Sequence, residues 1–379
     1  MNPQNHSPAG EPRARGLGIP LDGEPGPWNA ITDVPGVEVG YRTLIEGDGP
    51  LTPGAGPVRT GVTVVHPLGK DKAGVSVPAG WHSFNGNGEM TGTAWLDEAG
   101  ALSLPVGLTN THAVGPVHRG IIDWAVTRHP HLAQRWLLPV VAETWDGYLN
   151  DINGPHVQPN TVVDALDHAT SGPLAEGSVG GGTGMNCYAF KGGTGTASRR
   201  VQLGHHTYTV GVLTQANFGG RRELVIAGRP VGRQLTDDNP MEDTDWLAPA
   251  GAGSCIVVVA TDAPLLPGQC KALARRVPLG LARTGTTGSH FSGDLFLAFT
   301  TANAGQLDSS IDDTTLNGAS TRTLQFLPWG AIDPLYEAVV QSVEESVLNV
   351  LAASRTMHGR DHHRSPGFPV ERIAELVLG

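Results

Sequence analysis

Ala250-Gly251-Ala252-Gly253-Ser254-Cys255-Ile256-Val257-Val258-Val259-Ala260 sets a flexible run of small residues directly against a buried strand, with a hydroxyl at the junction. Glycine reaches backbone conformations closed to other residues, so the Gly253 carbonyl can be bent towards the Ser254 hydroxyl. Attack there turns the peptide bond into an ester, and hydrolysis releases a chain that begins at Ser254. Such a chain carries a nucleophile and a base on one residue, because an α-amino group titrates near about 7.7–8.0. A plain glycine loop entering a strand has the same composition, so other segments must decide between the two readings.

The preceding stretch Arg221–Ala252 holds Asp237-Asp238, Glu242-Asp243 and Asp245, a composition expected of an exposed connection that tolerates a cut at its end. Further out, the 52 glycines and 29 prolines among 379 residues form no low-complexity repeat; they punctuate many short apolar runs, as in a β-rich scaffold. A hydrophobic share of 39% supports a substantial core in one large α/β domain or two ordinary ones. A net charge of −11 argues against nucleic acid or an anionic membrane as the main partner. Cys187, Cys255 and Cys270 show no CxxC spacing and fit reduced thiols. The polar, proline-rich amino terminus lacks the pattern of a secretory signal and no apolar run is long enough for a bilayer, so a cytoplasmic location is expected.

Strand-like runs lie at Val62–Val65, Val75–Val77, Leu138–Val141, Tyr208–Leu213, Cys255–Ala260 and Leu295–Thr300. The clearest helix has Asp333 as expected N-cap and Pro334 in its first turn, with Leu335, Tyr336, Val339, Val340, Val343, Val347 and Val350 on one face. Shorter helices are expected at Gly120–Arg128, Val162–Ala169 and Gln269–Arg276. The pattern is α/β.

Seven separated segments then share one likeness: Gly86-Asn87-Gly88-Glu89-Met90-Thr91-Gly92, Thr109-Asn110-Thr111, Ala142-Glu143-Thr144-Trp145-Asp146-Gly147, Gly184-Met185 through Phe190-Lys191-Gly192-Gly193, Gln215-Ala216-Asn217-Phe218-Gly219, Gly251-Ala252-Gly253-Ser254 and Ser292-Gly293-Asp294-Leu295-Phe296. In this order they resemble the DmpA-type self-processing aminopeptidases, peptidase family S58, which include L-aminopeptidase/D-esterases and β-peptidyl aminopeptidases. The resemblance implies a four-layer αββα sandwich of the DmpA/ornithine-acetyltransferase type. It also implies cleavage between Gly253 and Ser254 into chains 1–253 and 254–379, and assembly of these two-chain protomers into a homo-oligomer. The expected organisation is a flexible N-terminal extension over residues 1–24 and a single α/β hydrolase domain over 25–379. Substrates implied are small peptides, amides or esters with a free amino terminus, and no cofactor.

Ser292 and Asp294 stand two apart on a strand and project to one face, where they can orient the nucleophile and hold its ammonium. The family has serine and an acidic residue here, commonly glutamate, so Asp294 reaches one methylene less far. Asn217, at a strand end before Gly219-Gly220, carries an amide able to donate to an oxyanion. For the family's site tyrosine, Trp145 with its indole N–H and Tyr148 with its hydroxyl are both candidates. Glu143, Asp146 or Glu89 can neutralise a substrate amine, with Glu143 favoured. His205-His206 and His362-His363 lack an HExxH pattern or a four-ligand set, so no metal is expected. Alternatives are an acyltransferase on the same scaffold, such as an ornithine acetyltransferase with its threonine nucleophile, or an inactive binding homologue.

Overall fold

The computed structural model describes residues 2–242, 253–309 and 321–378. Four layers are built around two sheets. The smaller sheet has the order β1-β2-β5-β6, from β1 (Glu38–Glu46), β2 (Val58–His66), β5 (Val106–Asn110) and β6 (Val140–Thr144). The larger has the order β4-β3-β12-β11-β10-β9, from β3 (Val77–Gly86), β4 (Ala101–Leu102), β9 (Gly193–Leu203), β10 (His206–Asn217), β11 (Gly253–Thr261) and β12 (Ser292–Thr300). A two-stranded ribbon of β7 (Asn186–Cys187) and β8 (Phe190–Lys191) precedes β9.

Strand alternation explains why four layers form. In β11, Ile256, Val258 and Ala260 join Leu295, Leu297 and Phe299 of β12 and Val140 and Ala142 of β6 in a core between the sheets. The intervening Cys255, Val257, Val259, Phe296 and Ala298 face the opposite way, into a second core. That core is closed by α4 (Pro267–Ala274), α5 (Val277–Arg283) and α6 (Asp333–Ala353). A third core lies outside the small sheet, where Val62, Val64 and Val141 meet Val117, Ile121 and Trp124 of α2 (Val114–Arg128) and Val162 and Leu166 of α3 (Pro159–Asp167). Strands buried on both faces read as near-continuous apolar runs, which is why Cys255–Ala260 was legible. β11 and β12 pair in parallel, and α4 and α5 form the crossover that parallel neighbours require.

Several local expectations are refined. The strand expected at Val75–Val77 begins only at Val77 and runs to Gly86. In α6, Asp333 is the first helical residue after Ile332 and makes no side-chain capping bond. The first half of the connection before Ser254 is not a surface loop: Arg221 is buried and donates to the Tyr188 and Leu235 carbonyls, while Leu224, Ile226, Val231 and Leu235 enter the helix-side core. The acidic stretch 243–252 lies outside the described residues. Within 2–24, the segment expected as an N-terminal extension, Arg13 is buried, forms a two-point ion pair with buried Glu176 at 2.7 and 3.0 Å, and donates to the Thr196 carbonyl at 2.8 Å. Ala14 N–H donates to Asn349 of α6.

Candidate active site

Three strand ends meet in the large sheet. Asn217, the last residue of β10, stands directly opposite Ser254, and Ser254 in turn opposes Gly293 of β12. Directly paired residues send their side chains to the same face, so Ser254 and Asn217 both face the space between the sheets. The Ser254 hydroxyl donates to the Gly253 carbonyl at 2.7 Å, against the bond expected to break. Gly253 itself does not use a left-handed backbone. Its lack of a side chain matters for space instead, since a β-carbon there would lie 1.8 Å from the Asn217 carbonyl oxygen.

Ser292 and Asp294 do share a face, and the Ser292 hydroxyl donates to Asp294 Oδ1 at 2.7 Å. That face is the one Cys255 occupies, however, because Ser292 pairs with Gly253 and Asp294 with Cys255. The pair therefore brackets the Ser254 backbone from the side opposite its hydroxyl. The backbone N–H that Asp294 accepts is that of Cys255, the residue after Ser254. A bulge in the β3–β12 pairing places Asn85 opposite Asp294, and its amide donates to Asp294 Oδ2 at 2.9 Å. Burial pushes the Asp294 carboxyl up, against the hydrogen bonds from Ser292, Asn85 and the Cys255 amide. Asn85 escaped the sequence reading because its partner is 209 residues away.

The Asn217 amide is held at both ends. Its Oδ1 accepts from the Asn186 N–H at 2.8 Å and its Nδ2 donates to the Trp145 carbonyl at 2.8 Å. An amide NH₂ has two hydrogens, so one donor position beyond Trp145 belongs to this group. Trp145 thus meets Asn217 through its backbone. Tyr148 is directed elsewhere: its hydroxyl donates to the Arg364 carbonyl at 3.2 Å and its ring stacks on His363 at 4.7 Å.

Of the three carboxylates considered for an amine, Glu143 is tied to the strand beside the nucleophile strand. Gly88 links them, since a β-carbon on it would lie 3.1 Å from both Glu143 Oε1 and Gly293 Cα, and Gly293 pairs with Ser254. Glu143 Oε1 accepts the Glu89 N–H at 2.9 Å and Oε2 accepts the Thr111 hydroxyl. Burial raises its pKa, with both hydrogen bonds opposing. Thr111, missed as a single residue, lies in one of the segments already singled out. Glu89 is exposed and contributes its backbone. Asp146 is fully buried, bonded to Asn150, and pushed up to about 7 by burial. Among the described residues no group of three His, Cys, Asp or Glu is placed to hold a metal ion.

The family model for peptidase family S58 matches residues 29–365. The chain belongs to this family. β-Peptidyl aminopeptidase BapA of Sphingosinicella microcystinivorans is 48% identical over 377 residues, covering 97% of this chain and 91% of that one. BapA of Sphingosinicella xenopeptidilytica is 45% identical over 374 residues, with the same coverage. Among solved structures, the L-aminopeptidase D-Ala-esterase/amidase of Ochrobactrum anthropi superposes with a TM-score of 0.89 at 45% identity, covering 97% of this chain and 98% of that one. It is described as a prototype of the serine aminopeptidases and a variant of the Ntn hydrolase fold. A Burkholderia β-aminopeptidase gives 0.86 at 43%. This S58 member is therefore a self-processing serine aminopeptidase of the N-terminal-nucleophile kind, on the four-layer α/β scaffold expected from the sequence. No described helix is long and apolar enough to cross a membrane.

Proposed function

We propose that this S58 peptidase cuts itself between Gly253 and Ser254 and then removes N-terminal residues from short peptides, amides or esters through an acyl-enzyme on Ser254. The observation that carries the assignment of residues is the Asn217–Ser254 pairing on one face, beside the Gly253 carbonyl. In the proposed reaction the Ser254 amine removes the hydroxyl proton and Ser292 and Asp294 steady the resulting ammonium. The remaining Asn217 N–H donates to the oxyanion, and Glu143 pairs with the substrate's ammonium. The names of the two Sphingosinicella relatives favour an N-terminal β-amino acid residue; the Ochrobactrum enzyme's name favours N-terminal L-residues together with D-Ala esters and amides as the second reading. A cytoplasmic homo-oligomer of two-chain protomers completes the proposal.

The test is intact mass followed by a panel of β-dipeptides and L- and D-amino acid amides, each free and N-acetylated. Wild-type protein should resolve into chains of 253 and 126 residues. Ser254→Ala should stay one chain with no turnover. A processed, active Ser254→Ala protein would refute Ser254, and equal kcat/KM for capped and free substrates would remove the amine-pairing role of Glu143.

A further inference from the structure

Lys191 is wholly buried and touches none of the reacting groups, yet it lies two steps from the group placed at the oxyanion. Its ammonium donates to the Met185 carbonyl at 2.7 Å and the Gly192 carbonyl at 2.8 Å, with the Gly182 carbonyl at 3.5 Å. A buried ammonium is costly unless its hydrogens are used, and here all three face carbonyls of one folded-back segment. The Met185 carbonyl also accepts the Gly192 N–H at 2.8 Å, so the segment is drawn shut around the cation. The next N–H along, that of Asn186, does not enter the β7–β8 ladder at all; it leaves the ribbon and donates to Asn217 Oδ1. This contact decides which way the amide points. A donor at Oδ1 forces the NH₂ end towards the Trp145 carbonyl and the face Ser254 shares, whereas a flipped amide would set NH₂ against N–H. The other end of the clamp is similarly braced, because Asp146, adjacent to Trp145, is buried and bonded to Asn150.

We infer that Lys191 is a positioning residue for the oxyanion donor: its ammonium fixes the 182–192 segment so that the Asn186 N–H holds the Asn217 amide with its NH₂ towards Ser254. The inference rests on the Asn217 role proposed above. An uncharged chain of the same length fills the space but takes one donor from each of three carbonyls, which then keep only the Met185 N–H on Gly182, the Gly192 N–H on Met185 and the Ser354 hydroxyl on Gly192, so the segment loses the single group that ties all three together.

The experiment compares Lys191→Met, Asn186→Pro, the double variant and Asn217→Ala in the full chain, with turnover expressed per mole of cleaved protein. Asn186→Pro deletes the single N–H and keeps the cation, so it tests the link from this segment to Asn217 on its own, and wild-type kcat there sinks the inference even if Lys191→Met fails to fold. Where a folded variant stays uncut, the cleavage rate is the readout, because scission at Gly253 also passes through an oxyanion. A misplaced donor should lower kcat by about 10²-fold with KM within two-fold of wild type, as for an interaction made only in the transition state. The double variant should be no slower than the worse single one, since both break one chain of contacts. Wild-type kcat in either single variant, or losses that multiply in the double, would overturn the inference. If Asn217→Ala alone kept wild-type turnover, the oxyanion reading itself would fall, a result separable from the other two.

Discussion

Ser254 has two sides in this fold, and each carries different chemistry. Its hydroxyl shares a face with Asn217, while Ser292 and Asp294 lie on the other face, paired with Gly253 and Cys255 on either side of it. If Asp294 holds the ammonium of the mature chain, it raises that amine's pKa by favouring the charged form. Asp294→Asn removes the attraction, so the acidic limb of the kcat/KM profile should move to lower pH while maximal turnover falls. A limb that stays in place or moves upward would detach Asp294 from the amine. Gly253→Ala should block self-cleavage or greatly slow it, because the added methyl meets the Asn217 carbonyl and pushes the β10–β11 pair apart; intact mass after several days would show a single chain. Alternation along Ser292–Phe296 was enough to put Ser292 and Asp294 on a common face. The opposition of that face to the Ser254 hydroxyl depends on the register between β11 and β12, which no local pattern encodes. Glu143, Thr111 and Asn217 all lie in segments singled out by resemblance, yet the Trp145 contact runs through a backbone atom that side-chain reasoning could not find.

Helix α6 shows where periodicity misleads. Its apolar stripe was readable, and Leu335, Val339, Val343, Val347 and Val350 are buried as that stripe requires. Gln341, Ser342, Glu345, Ser346 and Asn349 are buried too, which an amphipathic pattern assigns to solvent. The reason is a second layer of polar contacts: Glu345 accepts from Arg199 at 2.6 Å, from Arg15 at 2.9 Å and from Asn29 at 2.6 Å. Burial alone would raise the Glu345 pKa, but Arg199 and Arg15 outweigh it and hold the carboxyl below its ordinary value. The stabilisation is therefore present above the ordinary carboxylate pKa and is lost as pH falls through the lower folded value. Glu345→Ala leaves Arg199 buried without a counter-charge and should cost about 3–5 kcal/mol in urea unfolding. A loss under about 1 kcal/mol would mean that desolvation cancels the pairing.

The proposed cut would divide the molecule through its middle rather than at a border. In the order β4-β3-β12-β11-β10-β9, the two inner strands β11 and β12 come, apart from Gly253, from residues after 253 and the four flanking strands from residues before it. Val257 and Phe296 on one side and Ile256 and Leu297 on the other are fully or almost fully enclosed, so neither product has a surface it can present to water alone. The two chains should co-elute on native size exclusion after cleavage and separate only in denaturant. Independent elution in plain buffer would contradict interleaving. The N-terminal segment adds to this closure, since Arg13 joins Glu176 and the β9 backbone. Deleting residues 1–24 should therefore destabilise the fold, as a fall in the urea midpoint.

The pairing of Asn217 with Ser254 joins a residue from one side of the cut to the first residue of the other, and that pairing exists only once the central strands have docked. Scission that depends on it is a receipt for assembly. A chain broken at residue 253 has already passed inspection, and the ratio of cut to uncut protein in a cell lysate becomes a direct count of how many copies completed the sheet.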